Sequence, residues 1–293
     1  MVKIFDSTGY KVFSIFNCLL LSLLAILCFL PLVHVLAISL NEAVTTSNVT
    51  FWPVDFTAIA YKYIMASTSF WRSMWISIER VALGTLLNMI LTIIVAYPLS
   101  KDARTFRHRR KYVWIFMVTM LFSGGLIPWY LTIKFTGLID KLGALIIPGA
   151  VSVYNIVLLL NFFRQLPREL EEAAFIDGAG HWTVLWKIFV PTSTAAIATL
   201  TLFSMVGHWN SWFDGLILMN RPENYPLQSY MQTIVISQNF QLMTSESYKM
   251  LQLLSNRTVI SAQIFVGAVP ILIVYPFLQK YFAKGIVLGS VKG

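Results

Sequence analysis

Charge is what this sequence lacks most. Only 12% of its 293 residues are Asp, Glu, Lys or Arg, against 57% hydrophobic residues, whereas a soluble domain carries about a quarter charged residues. That shortage excludes an ordinary water-soluble domain and makes the chain a membrane protein. Histidine is also scarce: His34, His108, His181 and His208 are scattered, and neither a His-Glu-x-x-His nor a Gly-x-Ser-x-Gly pattern occurs. A membrane-embedded hydrolase therefore has no recognisable nucleophile, and no metal site is expected. No Gly-rich loop ends in Gly-Lys-Ser or Gly-Lys-Thr, so the chain is not expected to hydrolyse ATP. The two cysteines, Cys18 and Cys28, are separated by about 15 Å of helix, beyond disulfide reach, and read as packing residues.

What the chain has instead is long apolar runs. A helix crosses a bilayer in about 20 residues, and such runs extend over residues 19–40, 81–99, 112–132, 144–163, 194–219 and 259–281. The expected fold is all-α and polytopic, with six transmembrane helices. The first run is too long for a signal-peptide core and has no small-residue cleavage site after it. Basic residues of short loops stay in the cytoplasm. Lys101, Arg104, Arg107, Arg109, Arg110 and Lys111 all fall between the second and third runs. That loop, both termini and the loop containing Arg164, Arg168 and Lys187 are then cytoplasmic. Residues 1–18 form an N-terminal segment, 19–283 one membrane domain and 284–293 a C-terminal tail. The domain includes a cytoplasmic loop at about 164–193 and an external loop at about 220–258.

The net charge of +9 reflects this asymmetry. The cluster Arg107-His108-Arg109-Arg110-Lys111 abuts an apolar run, where anionic lipid headgroups explain it, and nucleic acid is not an expected partner. Glu79-Arg80 precede the second run closely enough to sit at the outer interface, by snorkelling or in a local salt bridge, with lining of an external vestibule as the alternative. Gly124, Gly125 and Pro128 interrupt the third run, and Pro270 and Pro276 punctuate the last. Such breaks survive in a membrane where neighbouring helices or cavity water satisfy the freed backbone. The external loop from Asn220 is too polar to span and is expected to form a short helical lid.

The loop before the fifth run carries the most information. Pro167 suits a helix start, and Glu169, Glu171 and Glu172 suit its positive end. Gly178 suits its stop by a left-handed backbone. From His181 to Val190, the residues Val184, Leu185, Ile188 and Phe189 make an apolar stripe at helical spacing, and Pro191 ends that second helix. An amphipathic hairpin lying on the membrane would need no more than this stripe. The small pair Ala173 and Ala174 beside carboxylates adds a surface that a partner can approach closely.

At these residues the sequence resembles the membrane permease subunits of ATP-binding-cassette importers. Their cytoplasmic signature begins Glu-Ala-Ala, has a glycine four residues after the second alanine, and ends near a proline. Here these positions are Glu172, Ala173, Ala174, Gly178 and Pro191. The Asp-Gly-Ala extension of the carbohydrate branch, which includes the maltose-type permeases, is matched by Asp177, Gly178 and Ala179. Its tryptophan-asparagine pair is similar to Trp209-Asn210. The C-terminal run from Tyr275 to Phe282 and the end Gly289-Ser290-Val291-Lys292-Gly293 look like the subgroup serving oligosaccharides and polysaccharide fragments. Two departures stand out. Val190 replaces the usual leucine, and Ala195 stands where a second proline is expected, predicting a straighter approach to the fifth span.

The resemblance implies the type I importer permease fold in a bacterial cell membrane. It implies a cytoplasmic ATPase dimer that binds ATP and Mg, a second homologous permease subunit and an extracellular solute-binding protein that delivers a sugar. Glu172 and Asp177 would be polar anchors for the ATPase, Ala173 and Ala174 the close-contact face and Gly178 the corner. For the solute path, Trp209, Asn210, Trp212 and Asp214 combine ring faces with amide and carboxylate groups that suit a sugar. Packing, gating or interface anchoring serves as well for them. An ion-coupled secondary transporter is the rival in mechanism, but it leaves the Glu-Ala-Ala hairpin unexplained. An importer for a peptide, amino acid or phosphate keeps the mechanism and changes the cargo.

Overall fold

The computed structural model describes residues 8–41, 51–53, 56–237 and 256–290, with side chains except at 234–237, 256 and 277–290. The described residues are helices and short links, with one isolated bridge between Asn41 and Phe56. They divide into two compact units, residues 1–68 with 233–268 and residues 69–232 with 269–293.

In the first unit, α1 (Thr8–Ser39) has 32 residues. It is about 48 Å long at 1.5 Å per residue, more than a bilayer's hydrocarbon core requires. It is apolar all round, and Leu19, Leu23, Ile26 and Phe29 are exposed, which is how a helix with lipid or partner neighbours reads. Cys18 and Cys28 are exposed on it too, so they do not pack into this chain's core as expected. Only its last turn is buried, at Ala37, Ile38 and Ser39. There the Ser39 hydroxyl bonds to Tyr61 at 2.7 Å, on α2 (Ile59–Ala66).

In the second unit, α3 (Thr68–Ser100) is the longest element. It is followed by α4 (Arg109–Leu121), α5 (Leu126–Phe135), α6 (Leu142–Ile146) with a 3-10 turn to Gly149, and α7 (Val153–Gln165). Then come α8 (Arg168–Ile176), α9 (His181–Val184), a π turn (Leu185–Phe189), α10 (Val190–Thr192), α11 (Thr194–Asn210), α12 (Phe213–Leu218) and α13 (Leu227–Ser237). The last helix, α14 (Asn256–Ser290), continues through both Pro270 and Pro276; its residues up to 268 belong to the first unit and the rest to the second.

Among the described residues, three helices are long and apolar enough to cross a membrane alone: α1, α3 and residues Arg257–Pro276 of α14. The other three expected crossings are bent pairs. The third bends by 113° between α4 and α5, where Gly125 has φ +85°, a conformation that side chains disfavour. The fourth bends by 45° between residues Leu142–Gly149 and α7. The fifth bends by 82° between residues His181–Thr192 and α11. Pro191 cannot donate to the ladder, and the π turn lies just before it; both are recognised causes of kinks. The straighter approach expected from Ala195 is therefore not found.

The largest core of this unit joins α3, α7, the π turn and α11. On α7 the inward positions are Ile156, Leu159, Leu160 and Phe163, a helical stripe. They meet Met89, Ile93, Ala96 and Tyr97 of α3, and Val184, Leu185 and Phe189. The loop stripe anticipated from the sequence thus faces protein, and it holds the hairpin on the bundle.

Candidate functional site

The hairpin α8–α9 forms as its residues dictate. Pro167 holds ψ at 132°, so the helix starts at Arg168, with Glu169 and Glu171 in the first turn. At the other end Gly178 N–H donates to Phe175 at 3.0 Å and Ala179 N–H to Ala174 at 2.9 Å. Those are the two bonds of a Schellman stop, which needs the left-handed φ of +79° found at Gly178. A Cβ at Gly178 would touch nothing within 4 Å. Conformation alone therefore demands glycine here.

Polar contacts fasten α8 to the end of α3. Lys101 Nζ lies 2.6 Å from Glu171 Oε1 and about equally far from the Tyr97 and Phe189 ring centres, at 4.0 and 4.1 Å. Burial pushes the Lys101 pKa down, while the hydrogen bond and charge of Glu171 raise it. Arg168 reaches Asp102 at 2.8 Å in a solvent-exposed pair. Tyr97 Oη bonds to His181 Nδ1 at 3.2 Å, and the Phe175 ring sits edge-on to His181.

What remains outward is a mixed surface. Glu172, Ala173, Asp177, Gly178 and Pro191 are exposed, and Ile176 is exposed to 86%. Ala174 turns inward against the core, so the expected pair of close-contact alanines is divided. Ala173 is presented, and Ala174 anchors.

The four residues singled out for a solute path do not form one group. Trp209 is buried at 6% exposure, Asn210 and Trp212 are exposed, and Asp214 alone lines a cleft of about 480 Å³. The other walls of that cleft include Arg80, Asn88, Trp129, Tyr154, Asn155 and His208. Arg80 is 3% exposed and forms a two-pronged ion pair with Asp214, while Glu79 instead accepts from Trp75 Nε1 at 2.7 Å. Arg80 is therefore neither snorkelling nor paired locally. Its position as a charge at the edge of an apolar run was the visible signal; its partner was not.

Asn88 closes the break between residues Leu142–Gly149 and α7. Its Nδ2 donates to Gly149 O at 3.4 Å and Ala150 O at 3.1 Å, and its Oδ1 accepts from Asn155 at 3.1 Å. His208 packs close to α3 because Gly84 has no side chain; a Cβ there would be 2.7 Å from the ring.

A polar cleft and an outward-facing Glu-Ala-Ala hairpin thus share one helix bundle. Residues 111–288 match the family of the binding-protein-dependent transport system inner membrane component. The chain belongs to this family. Among relatives of the inner membrane component, Protein LplC of Bacillus subtilis (strain 168) is 39% identical over 285 residues, covering 97% of this chain and 96% of LplC. The polygalacturonan/rhamnogalacturonan transport system permease protein YtcP of the same organism is 38% identical, covering 93% and 96%. A solved chain from a bacterial ABC transporter involved in the import of the acidic polysaccharide alginate superposes with a TM-score of 0.85 at 32% identity, covering 95% of this chain and 99% of that one. The family match in this inner membrane component includes the hairpin and Asp214, but not α3 with Arg80, Asn88 and Lys101.

Proposed function

We propose that this chain is a permease subunit of an ATP-driven importer of oligosaccharides, with six crossings and both termini in the cytoplasm. The observation that carries this reading is the hairpin: an exposed Glu172, Ala173 and Ile176 surface whose other face is fixed to α3 and α7. A rigid outward knob on a membrane bundle receives force from a soluble partner. That partner is a separate ATPase, which binds ATP and Mg. A second permease subunit completes the path, and an external binding protein delivers the cargo. The sugar assignment draws on relatives named for polygalacturonan, rhamnogalacturonan and alginate.

The test is substitution at the hairpin. Gly178→Val forces a β-branched residue into a left-handed backbone, at about 1–2 kcal/mol or more, and Glu172→Lys inverts an exposed charge. Each is expected to uncouple ATP hydrolysis from uptake, or to release the ATPase in a pull-down, while insertion in the membrane stays normal. Normal assembly and uptake in both variants would defeat the coupling role.

A further inference from the structure

The ion pair in the cleft is unevenly satisfied. Asp214 is well satisfied as an acceptor: Oδ1 takes Arg80 Nη1 at 3.2 Å, Ser211 Oγ at 2.8 Å and the Gly215 N–H at 2.9 Å, and Oδ2 takes Arg80 Nη2. Arg80 is not saturated as a donor. Its Nη1 also reaches Ser211 O at 3.2 Å, yet its Nε–H is out of solvent with no partner. A buried donor left unpaired is destabilising, and native structures rarely tolerate it without a purpose.

The neighbouring amides are already used. Asn88 is bonded to Gly149, Ala150 and Asn155. Apart from Asp214, whose charge Arg80 offsets, no acidic side chain lines the cleft among the described residues. The capacity left at the ion pair is a guanidinium N–H, which only donates, keeps its charge and binds anionic oxygen more strongly than neutral oxygen. Trp129 and Tyr154 supply ring faces on the same walls. The volume of about 480 Å³ lies within the range of small-molecule sites.

We propose that Arg80 is a cargo-binding residue of this cleft and that the cargo is an acidic oligosaccharide whose uronate carboxylate it receives. This rests on the importer reading. A purely structural ion pair between α3 and α12 is the competing role, and it would be indifferent to the charge of the sugar.

The experiment uses the whole assembly in proteoliposomes, with its partner permease, ATPase and binding protein. The probes are tetragalacturonate and the same oligosaccharide with its carboxyl groups reduced to alcohols. Arg80→Lys keeps a cation for Asp214 but loses the fork and its Nε–H. The double variant Arg80→Gln with Asp214→Asn removes both charges together, so that neither is left alone. The wild type is expected to carry the acid in preference. Both variants are expected to raise KM for the acid by about ten- to a hundredfold, with kcat and the reduced sugar little changed. Should the double variant fail to assemble, Arg80→Lys alone carries the test. Equal effects on both sugars, no preference in the wild type, or transport of neither sugar overturns the assignment. Basal ATP hydrolysis separates this from failure of the importer reading, which would appear as an assembly with no coupled ATPase.

Discussion

Lys101 and Glu171 join the end of α3 to the first turn of α8 through a 2.6 Å contact with side chains only 9% and 19% exposed. The two aromatic rings beside Lys101 Nζ hold the ammonium where the carboxylate meets it. The nearby Arg168–Asp102 pair is exposed on both sides, at 75% and 57%, and exposed pairs contribute little. One ion pair therefore dominates the polar fastening of the hairpin.

Lys101→Met leaves Glu171 without its partner and is expected to cost about 3 kcal/mol, or about a hundredfold in the docking equilibrium of the hairpin. Hydrogen exchange over residues 168–178 should rise, with the ATPase still bound but uptake reduced. Glu171→Gln keeps an acceptor oxygen and should have the smaller effect. Exchanging the two residues should recover only part of the loss, because a lysine at 171 lies away from the rings. Unchanged exchange in Lys101→Met would remove the pair from the coupling path.

Gly84→Ala places a methyl about where the His208 ring already lies. Overpacking of this kind costs about 1–3 kcal/mol, so the thermal midpoint of the detergent-solubilised chain should fall. Adding His208→Ala should restore much of it. Failure of the second substitution to help would show that the methyl strains α3 by some other route.

Backbone-determined features were the most legible in the sequence. Pro167 and Gly178 bound α8 as expected, because the proline ring fixes φ and glycine alone takes a left-handed φ at little cost, whatever surrounds them. Gly124 and Gly125 likewise announced the break between α4 and α5. The break after Gly149 was hidden in an apolar run, since what maintains it is Asn88, 61 residues earlier. Arg80 and Asp214 were each noticed, one beside Glu79 and the other beside Trp209, yet no periodicity links positions 134 residues apart. For Trp209 the sequence left sugar contact and packing both open; it follows Leu202 by two helical turns and both are buried.

Asp140 ties two loops by charge. Its Oδ1 accepts from the Asn220 N–H at 3.1 Å and from Asn224 Nδ2 at 3.0 Å, and Arg221 lies beside Oδ2. The bond from Asn224 lowers its pKa, helped by the Asn220 and Arg221 amides and the Arg221 charge, against some desolvation. A lowered carboxyl pKa means that the tie is complete above the ordinary carboxylate range and is lost as pH falls through the lowered value. Amide exchange at Asn220 and Arg221 should therefore stay slow through mild acid and quicken only below that range. Asp140→Asn, which tolerates the φ of +63° at this position, should erase the pH dependence. Persistence of the same acid transition in that variant would assign it to another group.

Asn88 also sets an order of events. The carbonyls of Gly149 and Ala150 sit at the break within the fourth expected crossing, and lipid offers a freed carbonyl no hydrogen bond. Their donor belongs to α3, which leaves the ribosome earlier, because synthesis proceeds from the N-terminus. The fourth expected crossing is thus made after its hydrogen-bond donor. A circularly permuted chain beginning after Ser100 would reverse that sequence and present an open helix break to the insertion machinery before its donor had been made.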